Sequence, residues 1–285
     1  MSVVTHPEFN KDKFDETSRE LRYVITDMIC RSGSGHLGGA LSLVEIIITL
    51  YDRIMAYDPE NPRWDERDRL VLSKGHAGPV LYAMLAYRGF FPKKWLATLN
   101  ENGTRLPSHV DQIQTPGIDM TAGSLGQGLS CAAGIALAGK MNKKAYTTFC
   151  IIGDGESNEG QVWEAGMFAA HQKLDNLVAI CDYNKLQIDG TTDEVLSLEP
   201  LADKWRAFGW EVFEMEGHNW DTIYDTIKKA MKVKGKPAMI IAHTIKGKDH
   251  CMIENLPQSH NIKIPDQETY DKYIESLEYD YELPY

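Results

Sequence analysis

The order of apolar and polar positions along the chain predicts helices that alternate with short buried strands. Apolar residues follow helical spacing over 10–31, and continuous apolar runs typical of fully buried strands recur further along. The predicted strands are 70–73, 147–152, 177–182, 211–215 and 238–243, and further predicted helices cover 127–142, 159–173, 198–207 and 220–233. Uniformly apolar strands that alternate with helices indicate an α/β fold, a parallel sheet with helices on both faces. No repeat or linker interrupts the pattern, and we expect a single domain over 1–285.

Local signals mark where some of these helices begin. The glycine-rich segment 33–39 ends the first helix. Ser42 is suited to cap the next helix, with Glu45 completing a capping box. Pro79 suits the first turn of a further helix, because proline needs no hydrogen-bond acceptor there.

Composition narrows the class of protein. The net charge of −11 disfavours nucleic acid and membrane surfaces as partners, because such binding needs basic patches. The N-terminus shows no apolar signal-peptide core, and no apolar run is long enough to span a bilayer. Five cysteines without a CxxC pair are typical of a reduced compartment, so we expect a cytoplasmic protein.

The most informative chemistry lies in the stretch 147–190. A predicted strand ends in Gly153-Asp154-Gly155, and the next predicted strand ends just before Asn184. Parallel strands place their ligands beyond their carboxyl ends, so Asp154 and Asn184 should meet at one edge of the sheet. Carboxylate and amide oxygens suit Mg²⁺, which usually shares its ligands with a phosphate group, and glycines let the backbone approach such a group closely.

Other interpretations of the glycine-rich segments are weaker. An ordinary strand-to-helix turn followed by an unrelated asparagine is the plainest alternative. The segment 155–162 has P-loop glycine spacing but carries Gln161 and Val162 where a P-loop needs Lys and Ser or Thr. The segment 33–38 matches G-x-G-x-x-G, yet it follows a predicted helix and so lacks the strand that a dinucleotide site requires.

The segment 153–190 resembles the thiamine diphosphate fingerprint, a GDG followed by Asn about thirty residues later. Further segments resemble transketolase motifs in the same order: 34–36 (SGH), 73–76 (SKGH), 107–109 (PSH), 123–128 (GSLGQG), 182–185 (DYNK) and 244–248 (TIKGK). The resemblance covers about residues 20–260 and implies the diphosphate-binding fold of that family. Asp249 stands where the family's Lys-Gly-Lys-Gly sequence has its last glycine. Asn261 follows His260 where the family usually has glycine.

The resemblance implies a set of binding residues. Asp154, Asn184 and the backbone carbonyl of Leu186 correspond to the metal ligands, for Mg²⁺ or for Ca²⁺ or Mn²⁺ in its place. Lys246 would neutralise the diphosphate, with plain surface exposure as the alternative. The cofactor-binding residues implied for thiamine diphosphate are His76, Gly123, Leu125, Gly153, Asp154, Gly155, Glu156, Asn184 and Lys246.

The resemblance also implies catalytic residues. His36, His76, His109 and His260 match the family's active-site histidines, and histidine is the usual group for proton transfer near neutral pH. Structural histidines or a zinc site are the alternatives. Glu159 and Glu164 would sit at a subunit interface and couple paired active sites, with solvated helix charges as the alternative.

The expected activity follows from the same comparison. The family transfers a two-carbon ketol unit from a ketose to an aldose, both commonly phosphorylated, in the pentose phosphate pathway. The chain corresponds to the first of three family domains, so we expect a separate C-terminal subunit with the pyrimidine-binding and C-terminal domains, in an α2β2 heterotetramer. The small-residue helix 127–142 is a candidate for that interface. The alternatives are a 2-oxo acid dehydrogenase E1 α-subunit, a deoxyxylulose phosphate synthase-like subunit, and a non-catalytic cofactor-binding module.

Overall fold

A computed structural model describes residues 6–277, 279 and 281–285. Its α-helices are α1 (Lys11–Arg31), α2 (Leu37–Leu41), α3 (Val44–Thr49), α4 (Gly78–Tyr87), α5 (Gln127–Met141), α6 (Gly160–His171), α7 (Thr192–Leu196), α8 (Leu201–Ala207), α9 (Trp220–Ala230) and α10 (Gln267–Glu275). Its strands are β1 (Ser34–Gly35), β2 (Arg69–Leu72), β3 (Thr148–Gly153), β4 (Leu177–Tyr183), β5 (Glu211–Glu216), β6 (Ala238–His243) and β7 (Ile262–Lys263). None of the helices within these described residues is long and apolar enough to cross a bilayer.

Five strands form one parallel sheet in the order β2-β3-β4-β6-β5, while β1 and β7 pair separately in antiparallel fashion. In the register of the large sheet, Gly153 lies opposite Asp182, and Tyr183 lies opposite His243. The segments that follow β2, β3, β4 and β6 therefore leave the sheet at one edge. The predicted parallel α/β fold is confirmed.

The two faces of the sheet bury two separate hydrophobic cores, because successive strand residues point to opposite sides. Phe149 and Ile151 of β3 pack with α1, α3, α4 and α9, whereas Cys150 and Ile152 pack with α5, α6 and α8. This two-sided burial explains why the strands are apolar throughout rather than alternating. The prediction of helices on both faces is confirmed.

The predicted capping box at Ser42 is wrong. Ser42 lies at the C-terminal end of α2, and α3 begins without a side-chain cap. The Ser42 hydroxyl instead donates to the buried Asp182, and Glu45 pairs with Arg22 and His218. Both side chains therefore serve buried charged partners instead of the end of the helix, because a buried charge is costly unless it is paired and hydrogen-bonded. Pro79 does lie in the first turn of α4, as predicted.

Candidate active site

A cleft of about 290 Å³ lies at the carboxyl edge of the large sheet. It is lined by Gly39, Lys74, His76, Leu125, Gly153, Asp154, Gly155, Glu156, Asn158, Glu159, Asn184, Leu186, Gln187, Ile188, Asp189, Lys246 and His260. Most of these residues come from loops after β2, β3, β4 and β6, which the parallel topology gathers at one edge. Most of the predicted binding residues therefore share one cleft.

The predicted metal ligands form one wall of this cleft. Asp154 is 3% exposed, and its two carboxylate oxygens accept the N–H groups of Gly155 at 2.7 Å and Lys185 at 2.5 Å. The side-chain oxygen of Asn184 accepts the N–H of Leu186 at 3.1 Å. Burial, with Asp182 nearby, raises the pKa of Asp154 to about 6. A buried carboxylate beside an amide oxygen is a donor set that fits a hard divalent cation.

Lys246 places a buried cation in the lining of the same cleft. It is 3% exposed, donates to the backbone oxygen of Leu186 at 3.0 Å, and its Nζ lies 3.4 Å from Nδ1 of His260. Among the ion pairs formed by the described residues, none includes Lys246. Burial and the neighbouring Lys74 lower its pKa to about 8. A buried ammonium in this setting fits an anionic ligand such as a diphosphate.

Two glycines keep the cleft open to a close backbone approach. A Cβ on Gly155 would lie 2.9 Å from Cγ of Gln187, and one on Gly39 would lie 3.3 Å from Nε2 of His76. A side chain at either position would be pressed against these neighbours in the lining of the cleft. The N–H of Gly155, one of the predicted cofactor-binding residues, donates to the Asp154 carboxylate in this structure.

The Glu156 carboxylate ties three loops together beneath the cleft. It accepts the N–H of Gly126 at 2.8 Å, the N–H of Gly153 at 2.9 Å, and the hydroxyl of Ser73. These donors come from the start of α5, the end of β3 and the end of β2. The carboxylate therefore acts within the protein, and the predicted contact between Glu156 and the cofactor stays a prediction.

Four histidines gather at the mouth of the cleft. The ring centroid of His36 lies 5.3 Å from that of His76, 5.6 Å from that of His109 and 5.2 Å from that of His260. Gly123 adjoins this group, since a Cβ there would lie 3.9 Å from Cγ of His109. The sequence separates these residues by up to 224 positions, and the fold brings them into one cluster.

Lowered pKa values keep the four histidines of this cluster uncharged. Burial is the first cause of a lowered pKa in all four, and the cationic Lys246 adds to the effect at three of them. The pKa of His260 falls to about 3, and that of His76 falls well below its usual value. A neutral imidazole donates with one nitrogen and accepts with the other, so the cluster is suited to bind hydroxyl groups and pass protons between them.

The remaining predicted residues take different places. Leu125 and Glu159 line the cleft, with Glu159 exposed to solvent. Glu164 is exposed on α6 and is not among the residues that line the cleft. For the zinc alternative, the described part of the chain contains no group of three or more His, Cys, Asp or Glu side chains arranged to hold a metal ion.

Two buried residues beside the cleft were missed as functional candidates. Lys74, which lines the cleft, forms an ion pair with Asp182, which does not, and the two residues are 2% and 0% exposed. Both belong to the motifs 73–76 and 182–185 that carry the resemblance, so the sequence held a signal for them. Their pairing was not visible, because 108 positions separate them along the chain.

A larger open groove of about 810 Å³ lies elsewhere, beside α1 and the loop after β6. Its lining includes none of the predicted binding or catalytic residues. Several of its charged groups are already paired, for example Lys248 with Asp249 and His218 with Glu45. Chemistry rather than volume therefore places the candidate active site in the smaller cleft.

The parallel sheet, the oxygen donors of Asp154 and Asn184, and the buried cation of Lys246 form an α/β fold with a cleft suited to a metal-bound diphosphate cofactor. Residues 15–281 match the family model described as "Transketolase, thiamine diphosphate binding domain". The chain belongs to this family, as a thiamine diphosphate-binding subunit of transketolase. The resemblance found in the sequence is thereby confirmed.

Relatives of similar size support this assignment. The chain is 55% identical, over 87% of its length and 90% of the relative, to the 6-deoxy-6-sulfo-D-fructose transketolase subunit SqwG of Clostridium sp. (strain MSTE9). It is 41% identical, over 91% of its length and 92% of the relative, to an apulose-4-phosphate transketolase subunit of Phocaeicola vulgatus. By contrast, the chain covers 42% of transketolase-like protein 2 of Homo sapiens, to which it is 36% identical over 92% of its own length.

Solved structures agree with the fold. The transketolase of Campylobacter jejuni superposes with a TM-score of 0.88 at 31% identity, covering 95% of this chain and 44% of that one. The transketolase of Leishmania mexicana gives a TM-score of 0.86 at 27% identity, covering 97% of this chain and 42% of that one. The chain thus corresponds to under half of these larger transketolases.

Proposed function

We propose that this protein binds thiamine diphosphate through a divalent cation, Mg²⁺ or in its place Ca²⁺ or Mn²⁺, and transfers a two-carbon ketol unit from a ketose to an aldose. The observation that carries the proposal is the cleft lined by Asp154, Asn184 and Leu186 together with the buried Lys246, which donates to the Leu186 carbonyl. The oxygens would hold the metal, and Lys246 would offset the remaining diphosphate charge. That residues 1–285 form a single domain stays a prediction.

The cofactor, when bound, supplies the carbanion chemistry of the transfer. The chain's own contribution is to hold the diphosphate end and to place neutral histidines where the sugar has to enter. His36, His76, His109 and His260 would donate to and accept from its hydroxyl groups and carry protons between them.

Substitution of Asp154 tests the cofactor site. We expect Asp154→Ala to abolish Mg²⁺-dependent binding of thiamine diphosphate, measured by calorimetry on the chain with its partner subunit. Asp189→Ala is the matched control, because Asp189 lines the same cleft but forms no part of the predicted donor set. Unchanged affinity in Asp154→Ala would contradict the proposal.

The substrate is a ketose whose far end carries an anionic group. SqwG is named for a sulfonated fructose and the Phocaeicola vulgatus relative for a phosphorylated sugar, so the two relatives share this feature. The higher identity to SqwG favours the sulfonated ketose as the donor. Assays of the complex with 6-deoxy-6-sulfo-D-fructose, apulose 4-phosphate and xylulose 5-phosphate distinguish the classes. Preference for xylulose 5-phosphate would instead support the pentose phosphate pathway.

The partner is a second chain with the pyrimidine-binding and C-terminal domains, in a complex of two copies each. The relatives named as subunits support the need for a partner. An exposed face of α5 and α6 offers a surface for this partner. On it, Met141 is 74% exposed and Phe168 is 42% exposed. A Cβ added to Gly134 on the same face would meet nothing within 4 Å among the described residues. Small residues on this face would let partner helices approach closely, and Glu164 lies on it.

Co-purification tests this surface. We expect Phe168→Asp to release the partner subunit in size-exclusion chromatography, while Met252→Asp, at a site of similar exposure (41%), leaves the complex intact. Retention of the partner by Phe168→Asp would contradict the interface. Full transketolase activity from this chain alone would contradict the need for a partner.

A further inference from the structure

Asp182 lies at the end of β4 and receives hydrogen bonds from four different segments. One carboxylate oxygen accepts from the hydroxyl of Ser42 at 2.7 Å, from Nδ2 of Asn184 at 3.1 Å, and from the ammonium of Lys74. The other oxygen accepts from the hydroxyl of Thr244. The side chain is 0% exposed, so its interactions are with the protein rather than with solvent. These donors come from segments that follow α2, β2, β4 and β6.

The contact with Asn184 decides how that side chain is oriented. The two ends of an amide have nearly the same shape but opposite hydrogen-bonding roles. A carboxylate only accepts hydrogen bonds, so it holds the NH2 group of Asn184 toward itself. The amide oxygen is then turned the other way, where it accepts the N–H of Leu186 at 3.1 Å and borders the cleft. With the opposite orientation, an NH2 group would point at the cation site.

We propose that Asp182, paired with Lys74, is a positioning residue that fixes the amide of Asn184 with its oxygen toward the metal. The inference rests on the proposed function, because it concerns the metal ligand set of the same cleft. Asp182 does not itself line the cleft. Its effect on the cofactor passes through Asn184, in the way that outer hydrogen-bond partners orient metal ligands.

The ion pair between Lys74 and Asp182 stabilises this arrangement. Lys74 also donates to the backbone oxygen of Gly39 at 3.1 Å, and Gly39 lines the cleft. An unpaired carboxylate at Asp182 would add a second negative charge behind Asp154. The buried ammonium offsets that charge, so the acceptor character of Asp182 is kept while the cation site feels little of its charge.

The test uses the full chain in complex with its partner subunit, titrated with Mg²⁺ at saturating thiamine diphosphate in a calorimeter. Asp182→Asn gives position 182 both a donor and an acceptor, so that residue no longer selects the orientation of Asn184, and only the N–H of Leu186 still favours it. We expect the Mg²⁺ affinity to fall roughly ten- to a hundredfold, the usual loss for an outer-shell partner of a metal ligand. Ser42→Ala is the control, because it removes another donor to Asp182 but leaves the Asn184 contact; we expect no change in affinity.

Exchange of the two side chains provides the rescue. In the double variant Asp182→Asn with Asn184→Asp, the amide at 182 donates to the carboxylate at 184, which presents an oxygen to the cleft in either orientation. The net charge is unchanged, so we expect Mg²⁺ affinity within about threefold of the original, a difference of under about 1 kcal/mol. A merely structural role for Asp182 predicts no such recovery.

Thermal unfolding of each variant separates folding from positioning. Should Asp182→Asn not fold, Asp182→Asn combined with Lys74→Met removes both buried charges, and the same loss of affinity is expected. Asp182→Asn with undiminished Mg²⁺ affinity, or a stable exchanged variant that binds Mg²⁺ no better than Asp182→Asn, would overturn the inference. Failure of the unaltered complex to bind the cofactor would instead defeat the proposed function.

Discussion

Two lysines are buried beside the cleft, and replacing each with methionine should change stability in opposite directions. Lys74 is paired with Asp182, whereas Lys246 donates to the Leu186 carbonyl and has His260 as a further polar neighbour. Methionine keeps much of the length and apolar volume of lysine but removes the charge. The comparison therefore isolates the electrostatic environment of each ammonium.

The magnitude for Lys246 follows from its pKa, which burial lowers from 10.5 to about 8. Because the folded-state pKa is lowered, charging Lys246 in the folded protein at pH 7 costs about 3 kcal/mol relative to the unfolded chain. This cost is full below pH 8 and fades as the pH rises toward 10.5. Losing the hydrogen bond to Leu186 removes about 1 kcal/mol, so Lys246→Met should stabilise the cofactor-free chain by about 2 kcal/mol.

Lys74→Met should have the opposite effect. It leaves the carboxylate of Asp182 buried and uncompensated, which typically costs about 3–5 kcal/mol. Lys246→Met should therefore be more stable than the unaltered protein and Lys74→Met less stable, although each removes one buried positive charge from the same cleft. If the protein merely tolerated, or failed to tolerate, methionine at buried positions, both variants would change stability in the same direction.

Thermal unfolding of the cofactor-free chain measures both effects, with a shift of about 2–4 °C expected per kcal/mol. Calorimetry with thiamine diphosphate and Mg²⁺ then shows whether Lys246→Met, although more stable, has lost cofactor affinity. The stability gain should also shrink between pH 8 and pH 10. Destabilisation by Lys246→Met at pH 7, or unchanged cofactor binding, would refute the reasoning.

Three further outcomes test other parts of the structure. Glu45→Ala should destabilise the chain by about 3–5 kcal/mol in chemical denaturation, because it leaves the buried Arg22 without this partner; a loss below about 1 kcal/mol would contradict the pairing. Burial lowers the pKa of His250 to about 4, so the unfolded chain binds more protons, and thermal stability should fall as the pH drops from 6.5 toward 4. The buried histidines of the cleft contribute to the same decline, so His250→Gln should reduce it in part, and an unchanged profile would exclude a contribution from His250. Gly128→Ala should lower the unfolding temperature sharply, because its Cβ would lie 2.4 Å from Cβ of Ser73; normal stability would show that the helix can move.

Local sequence patterns were enough to locate most of the fold. The apolar runs at 147–152 and 177–182 correspond to β3 and β4, because a strand buried on both faces has to be apolar throughout. The same patterns placed Asp154 and Asn184 beyond the ends of neighbouring strands. Short elements were missed, such as α7 and the pairing of β1 with β7, because a few residues carry too little periodicity to stand out.

The sequence by itself determined the alternation of strands and helices and the motifs in their order, since each depends on neighbours a few positions apart. Only the tertiary structure decided how Ser42, Lys74, Asn184 and Thr244 converge on Asp182, and how burial keeps the four histidines uncharged. Such properties depend on groups far apart in the chain and on the exclusion of water around them. Folding supplies both at once, because it brings the loops of a parallel sheet to a single edge.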